Sequence, residues 1–362
     1  MKKWKASDTL IFSVIWATLL IVAVLVILYV KGISPKLDEK IQTLPTQRPQ
    51  AQASGALSGV AFDHVGGGLP KLDAMVQTLP AQSRQALASD VVGEAAFDYI
   101  AFDPNVAEGQ KPGEAVPRVQ MERLVDGAAR YAGGIRTYGM SDDLDSAVAY
   151  AHSKGLNTIA GIWLSTDPTD NEAEMALAGK LAATGAVDIL CVGNECLLRG
   201  DLTEDELLGY IARARAMAAE GTLVAYADTP ANYSDKLLGA VDVALPNIHP
   251  YWAGLLPQEG AAYVNDEVGA LAARAAAVNP ELTIIVGETG FPNTVPGWEQ
   301  FWEDYLSANH RAPTVAFMLA DCPWKAEGGI EVEGHWGLLD VSGDFTLVPK
   351  TEMNAVFGRV LT

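Results

Sequence analysis

The chain has 362 residues, and 45 acidic against 25 basic side chains give it a net charge of −20. With 49% hydrophobic and 19% charged residues, it belongs to neither the disordered nor the fibrous class. So acidic a chain argues against general binding to nucleic acid, and against the bulk of the protein lying on an anionic membrane. Its three cysteines lack metal-ligand spacing and exclude a disulfide framework.

Residues 9–30 form an uncharged apolar run that is long enough to cross a hydrocarbon core of about 30 Å. No small-residue cleavage site follows closely, which disfavours a removable signal peptide. A buried core helix is the alternative, but no polar position marks a solvent face. Lysines before the run place residues 1–8 in the cytoplasm. We therefore predict a single transmembrane helix over 9–30 in a bacterial inner membrane, with the remaining chain in the periplasm or outside the cell.

Residues 31–94 form a juxtamembrane region of different composition, in which Gln, Ala, Pro, Ser and Gly dominate positions 45–59. The region contains an internal duplication, because 36–47 matches 71–82 at an offset of 35 residues. Two copies are too few for a solenoid. The duplication is either a paired docking element or a spacer that holds the following domain away from the membrane, and we favour the spacer.

From residue 95 onwards, short apolar runs alternate with amphipathic, alanine-rich stretches. The clearest helical pattern spans 204–219, where Thr203 and Glu206 form a capping box. Eight such units over 95–362 predict an α/β fold, a (β/α)8 TIM barrel, whose usual size is about 250 residues. A doubly wound open sheet would carry a glycine-rich loop after its first strand, and none is present. The predicted strands are 97–102, 134–138, 157–163, 187–193, 222–227, 242–248, 282–287 and 314–320.

Two glutamates follow apolar strands directly, Glu195 after strand 4 and Glu288 after strand 7. The carboxyl ends of barrel strands carry the chemistry of this fold. Glycoside hydrolysis requires two carboxyl groups that flank the scissile bond. A single glutamate at a strand end is commonly a capping or ion-pair residue, whereas two at matching ends indicate a catalytic pair.

Aromatic and polar side chains collect at the same ends and supply candidates for holding sugar rings. Asn194 is placed to bond a sugar 2-hydroxyl, and His249 or Tyr251 to orient a carboxylate. The candidate substrate-binding residues are Arg136, Tyr138, Trp163, Asn194, His249, Tyr251, Trp252, Phe291, Trp324, Lys325, His335 and Trp336.

Five motifs resemble those of glycoside hydrolase family 17, the β-1,3-glucanase family, in its bacterial branch. They are AFDP at 101–104, VGNE at 192–195, IHPYW at 248–252, GETGFP at 287–292 and HWGL at 335–338. The resemblance covers 97–340. It implies a retaining glycosidase or glucanosyltransferase acting on β-1,3-linked glucan, with Glu195 as acid/base and Glu288 as nucleophile, and no metal or organic cofactor.

The chain departs from the family pattern at strand 8, where Cys322 stands in place of the glutamate expected to pair with Lys325. Asp321 is the candidate substitute for that glutamate. The end of strand 5, at 227–230, is also unlike the family's bacterial branch. A Cys196–Cys322 bridge is conceivable, but strands 4 and 8 lie on opposite sides of a barrel, so free buried thiols are favoured. The acidic stretch 167–174 is read as a helix start rather than a calcium site.

A non-catalytic function is the alternative in a different class. The barrel would then be an accessory subunit of a membrane polysaccharide synthase and would bind the nascent glucan. The retention of both glutamates argues against it. Between hydrolysis and transglycosylation the motifs do not decide, since only the identity of the acceptor differs. The predicted partners are a β-glucan, the membrane and such a synthase, with no nucleic acid.

Overall fold

The computed structural model describes residues 95–308 and 312–360. The segments 1–8, 9–30 and 31–94 lie outside the described residues, so their assignments stay predictions. Among the helices that are described, none is both long and apolar enough to cross a membrane.

All eight predicted strands are present and form one parallel sheet, in the order β7-β6-β5-β4-β3-β2-β1-β9-β8. The seventh barrel strand is interrupted at Ile285 and forms the two short pieces β7 and β8. Ile285 still donates its N–H to the carbonyl of Ala244 at 3.1 Å. The strands are β1 Tyr99–Ala101, β2 Gly134–Arg136, β3 Asn157–Ile162, β4 Ile189–Asn194, β5 Leu223–Asp228, β6 Val243–Pro246, β7 Thr283–Ile284, β8 Val286–Thr289 and β9 Thr314–Ala316.

The sheet closes into a barrel between β6 and β8. Asn247, just after β6, forms a parallel bridge with Glu288, and the N–H of Ile248 bonds the carbonyl of Glu288 at 2.8 Å. This closure brings the carboxyl ends of all eight strand positions to one rim. The predicted (β/α)8 barrel is confirmed.

Helices alternate with the strands around the barrel. The helix α4 begins with the predicted capping box, in which Glu206 accepts from the Thr203 N–H at 2.8 Å. Asp167 caps α3 through the Thr169 N–H, so the acidic stretch is a helix start. The helices are α1 Arg118–Ala128, α2 Leu144–Ser153, α3 Pro168–Ala182, α4 Glu204–Met217, α5 Asp235–Ala240, α6 Pro257–Val278, α7 Trp298–Ser307 and α8 Asn354–Val360.

The strands are buried on both faces, which explains their nearly continuous apolar sequence. Ile159, Ile189 and Leu245 pack inside the barrel, while neighbouring side chains pack outwards against the helices. At Gly287 a Cβ would lie 2.5 Å from the carbonyl oxygen of Leu245. Only glycine permits this close approach of β6 and β8.

A feature that the sequence pattern did not reveal follows the last barrel strand. Two three-residue strands, β10 (Leu339–Val341) and β11 (Leu347–Pro349), form an antiparallel hairpin. Leu347 is buried against α1, where a Cβ at Gly127 would lie only 2.6 Å from its Cδ1. Strands this short show too little alternation to be recognised before the contact with α1 is known.

Candidate active site

Glu288 lies at the end of β8, with only 6% of its surface exposed. Its Oε1 is 3.3 Å from Arg136 Nη1, and its Oε2 is 3.1 Å from His249 Nε2. Burial by itself raises the pKa of this carboxyl. The hydrogen bond to His249 and the positive charges of Arg136 and Lys325 outweigh that effect, so the pKa is lowered. Glu288 is therefore held as a carboxylate.

Glu195 follows β4 and is anchored by its N–H, which bonds the carbonyl of Ala227 at 2.8 Å. Its Oε1 accepts a hydrogen bond from Asn247 Nδ2 at 2.9 Å. Burial first, and the negative charge of Glu288 second, raise the pKa of Glu195. The two glutamates thus occupy environments that favour opposite protonation states.

A chain of hydrogen bonds links the two carboxyl groups. The buried Arg136 donates to Asn194 Oδ1 at 2.8 Å and lies 3.4 Å from Asn247 Oδ1. Asn247 Nδ2 also donates to Asn194 Oδ1, at 3.1 Å. Asn247 was missed in the sequence, although it is the first polar residue after the apolar strand β6.

Aromatic rings surround this pair. Tyr251 lies 4.8 Å from Trp252 and 6.0 Å from Trp336, between ring centroids. Trp252 is 52% exposed, so it has ring surface free for a ligand. Tyr138 stacks beside the Arg136 guanidinium at 4.6 Å. Burial and the nearby Glu288 raise the pKa of Tyr138, whose buried hydroxyl has no hydrogen-bond partner among the described residues.

Trp163, after β3, is 41% exposed and has the guanidinium of Arg199 over its ring at 4.4 Å. Arg199 also donates to the carbonyl oxygens of Asn194 and Leu164. Arg199 thus ties the ends of β3 and β4 together, and sequence reasoning missed it because its contacts with the ends of these strands form only in the folded chain.

Two predicted substrate-binding rings are buried in the free protein. Phe291 is fully buried. It packs 5.3 Å from Phe301 and against Gly260 of α6. Its ring is part of the core and offers no free surface in this structure, so a contact between Phe291 and substrate stays a prediction that the burial of the ring argues against. Trp336 is also buried, and it packs 4.9 Å from His249, beneath the exposed Trp252.

After the eighth barrel strand, β9, Asp321 does not pair with Lys325 as the sequence led us to expect. Asp321 accepts from Asn293 at 2.7 Å and from Lys350 at 3.1 Å, and lies 3.8 Å from His335. Asp321 is thus the partner of Lys350, and the expectation that it substitutes for a glutamate beside Lys325 is wrong.

Lys325 and Trp324 lie on the 3-10 helix Pro323–Gly328, which continues from this strand end. The ammonium of Lys325 is 5.1 Å from the Trp324 ring and 5.4 Å from the Phe317 ring. Trp324 donates from Nε1 to Asp103 at 3.1 Å. Asp103 lies within the AFDP motif, and the sequence did not reveal that it bonds this 3-10 helix.

Glu333 is a further site residue that the sequence did not reveal. It lies on the short 3-10 helix Glu331–Gly334, which packs against the helix that carries Lys325. Its carboxyl is half-buried. Burial raises its pKa, and its electrostatic neighbours are Lys325, His249 and Glu288. A third carboxyl group therefore lies within the electrostatic reach of Lys325, His249 and Glu288.

The three cysteines are free and buried, as the sequence led us to expect. Cys322 points its thiol towards the carbonyl of Ala320 at 3.8 Å, and Cys196 towards that of Leu164 at 3.7 Å. Within the described residues, no group of three or more His, Cys, Asp or Glu side chains is placed to hold a metal ion.

Several curated proteins are similar to this chain. A glucan 1,3-beta-glucosidase of Saccharomyces cerevisiae is 26% identical over 248 residues, which cover 59% of this chain and 79% of that protein. A probable beta-glucosidase btgE of Neosartorya fischeri is 26% identical over 207 residues, which cover 52% of this chain and 37% of that protein. The chain thus matches little more than a third of the length of the btgE relative.

Solved structures share the fold. A β-1,3-glucanosyltransferase of Rhizomucor miehei, an active-site mutant in complex with laminaritriose, aligns with a TM-score of 0.59 at 23% identity, covering 72% of this chain and 97% of that one. An endo-laminarinase from Formosa Hel1_33_131 aligns with a TM-score of 0.60 at 15% identity, covering 76% and 90%.

The BtgE/BtgC glycoside hydrolase domain matches residues 100–337, nearly the whole barrel. The matched range contains both glutamates and the network between them. The chain therefore belongs to the BtgE/BtgC glycoside hydrolase family, and the resemblance of its motifs to glycoside hydrolase family 17 is confirmed.

Proposed function

We propose that this protein is a retaining glycosidase or glucanosyltransferase that acts on β-1,3-linked glucan, with Glu288 as nucleophile and Glu195 as acid/base. One observation carries the proposal. Two carboxyl groups at the ends of β4 and β8 share one hydrogen-bond network, yet their surroundings lower the pKa of Glu288 and raise that of Glu195. A pair of titratable groups whose pKa values are pushed apart marks an acid and a base.

The mechanism follows from these protonation states. The Glu288 carboxylate attacks the anomeric carbon while Glu195 gives its proton to the departing glycosidic oxygen. In the resulting ester Glu288 has no charge, so one cause of the raised pKa of Glu195 disappears. Glu195, which has given up its proton, therefore stays ionised and serves as the base: it removes a proton from water, or from a sugar hydroxyl, whose oxygen attacks the anomeric carbon. The bond between that carbon and Glu288 breaks, and Glu288 leaves as a carboxylate.

The surroundings of the pair suit a sugar. Asn194 Oδ1 already accepts from Arg136 and Asn247, so its Nδ2 is left to donate to a 2-hydroxyl in the transition state. The exposed rings of Trp252 and Trp163 provide flat apolar surfaces for sugar faces. The choice of β-1,3-glucan is supported by the activities for which the Saccharomyces cerevisiae and Rhizomucor miehei proteins are named.

Product analysis tests this proposal. The full-length protein and its Glu288→Gln variant are incubated with laminari-oligosaccharides, with Glu220→Gln, an exposed glutamate beyond α4, as control. We expect turnover by the wild type and the control and none by Glu288→Gln. Shorter products alone indicate hydrolysis, whereas products longer than the substrate indicate transfer. Binding without turnover by the wild type would contradict the proposal and favour the accessory-subunit alternative.

We also propose that residues 9–30 anchor the protein in the membrane, with the barrel outside the cytoplasm. The support is the length of the uncharged run and the lysines before it. Protease added to intact spheroplasts is expected to degrade the barrel, and deletion of 9–30 to move the protein into the soluble fraction. A barrel that is protected until the cells are lysed would overturn this topology.

A further inference from the structure

Glu195 is carried on an unusual turn. Its φ is +55°, and that of Gly193 is +85°. The left-handed region is unfavourable for a residue with a side chain. Gly193 is required here because a Cβ would lie 2.5 Å from Cys196 Sγ. The turn does not hold this conformation by local preference, so contacts from outside must hold it.

Strand β5 supplies those contacts. The N–H of Leu197 donates to the Tyr226 hydroxyl at 3.3 Å, and the N–H of Leu198 to Asp228 Oδ2 at 3.4 Å. The Tyr226 hydroxyl in turn donates to the same oxygen of Asp228. These bonds and the one from Glu195 to Ala227 fix the turn to the end of the next strand.

Asp228 is fully buried, and its other oxygen accepts from the Thr229 N–H and from Asn232 Nδ2, both at 2.7 Å. All four of its donors are neutral. No ion pair of the described residues includes it, so nothing there neutralises a charge on it. A buried charge of this kind acts over several ångströms because little water screens it.

The charge of Asp228 reaches Glu195. Burial and the charge of Glu288 are the main causes of the raised pKa of Glu195, Asn247 and His249 lower that pKa, and Asp228 raises it by a smaller amount. Burial and Asp228 also raise the pKa of Tyr226, so the phenol stays a donor. Asp228 thus adds to the negative field at Glu195 and is itself held by the hydroxyl of a protonated tyrosine.

We propose that Asp228, with Tyr226, is a positioning residue for the acid/base: it holds the turn after β4 so that Glu195 points at the glycosidic oxygen, and it adds a buried negative charge beside that turn. This inference rests on the proposed function, and it concerns a strand end that no motif of the sequence marks.

The test compares Asp228→Asn, Tyr226→Phe and the control Asp205→Asn, an exposed residue of α4. The asparagine removes the negative charge, which lowers the pKa of Glu195. The alkaline limb of kcat/KM on laminari-oligosaccharides is therefore expected to move to lower pH. Tyr226→Phe keeps the charge but loosens the turn, and kcat is expected to fall roughly tenfold with KM unchanged. If Asp228 only stabilised the fold, the alkaline limb of the kcat/KM profile would stay at the same pH in Asp228→Asn.

Two readouts do not depend on turnover. The Glu195 carboxyl is titrated by NMR, and hydrogen exchange is measured at the Leu197 and Leu198 amides. We expect a lower pKa of Glu195 in Asp228→Asn and faster exchange in both variants. A wild type without turnover would overturn the proposed function, while these readouts would still decide the role of Asp228. If Asp228→Asn does not fold, the kcat of Tyr226→Phe and the exchange of its Leu197 and Leu198 amides decide whether β5 holds the turn. Unchanged exchange, kcat and Glu195 titration would overturn the inference.

Discussion

At the scale of single residues, the site depends on two chemically identical side chains that behave differently. The pKa of Glu288 is lowered because His249, Arg136 and Lys325 outweigh the effect of burial. The pKa of Glu195 is raised because burial and Glu288 dominate. Local surroundings, and not residue type, therefore separate the two roles that we propose for these glutamates.

We predict that Glu195→Gln lowers kcat/KM on laminari-oligosaccharides by roughly 10²- to 10⁴-fold, because the departing oxygen is no longer protonated. An aryl glucoside whose leaving group needs no proton should still form the glycosyl-enzyme, and added azide should restore its turnover. The measurement is steady-state kinetics on both substrates. Equal losses on both would contradict the role of Glu195 as acid.

The pH dependence gives a second prediction. Glu288 has a lowered pKa, so it stays ionised to below the usual value of about 4.3, and the acid limb of kcat/KM lies at low pH. His249→Phe removes the hydrogen bond that lowers this pKa, so the acid limb should move to higher pH. The alkaline limb, which reports Glu195, should move much less. A shift of the acid limb to lower pH would contradict this assignment.

At the scale of elements, each strand end brings one side chain of the site into position, and the turn that follows decides where the next residues go. After β8 the chain passes Gly290 and sends Phe291 into the core between α6 and α7. After β6 it leaves Trp252 half in solvent. Two aromatic residues in similar motifs therefore have different roles, one in stability and one at the surface of the cleft.

We predict that Phe291→Ala lowers the free energy of unfolding by about 3–5 kcal/mol, since it opens a cavity in the core. Trp252→Ala should leave stability nearly unchanged and raise KM for laminari-oligosaccharides, because it removes an exposed ring. Denaturant unfolding and steady-state kinetics on both variants make the comparison. A stable Phe291→Ala variant with a raised KM would instead support the prediction that Phe291 contacts the substrate.

At the scale of the whole molecule, Arg136 ties the barrel together across its interior. It leaves β2 and donates to the carbonyl of Gly287 at 2.6 Å, as well as to Asn194. It also faces Glu288 in a pair of which both members are almost fully buried. Removing the arginine would leave a buried carboxylate without its cationic partner.

We predict that Arg136→Met destabilises the protein by about 3–5 kcal/mol at neutral pH. Glu288 has a lowered pKa in the folded wild type, so the stability from this pair is present above the pKa of an unfolded glutamate and is lost as the pH falls through the folded value. The loss in the variant should therefore shrink towards acidic pH. Chemical denaturation at several pH values measures it, and a loss independent of pH would contradict the pairing.

Much of the barrel was predictable because its signals are local. Strands buried on both faces read as continuous apolar runs, and the helices between them carry caps such as Thr203 with Glu206. The positions of Glu195 and Glu288 followed from the same pattern, since each is a charged residue directly after such a run. These features depend on residues close together in the sequence.

The remaining features depend on residues that only the fold brings together. Asn247 joins Arg136 to Glu195 from the end of a third strand, and Asp228 holds the turn after β4. Glu333, on a separate 3-10 helix, lies within the electrostatic reach of Lys325. The sequence by itself determined the order of strands and helices and the two carboxyl groups, because periodicity and burial act along the chain. The tertiary structure decided which side chains meet, which rings are buried and how each carboxyl group is charged, because these depend on distances and fields across the closed barrel.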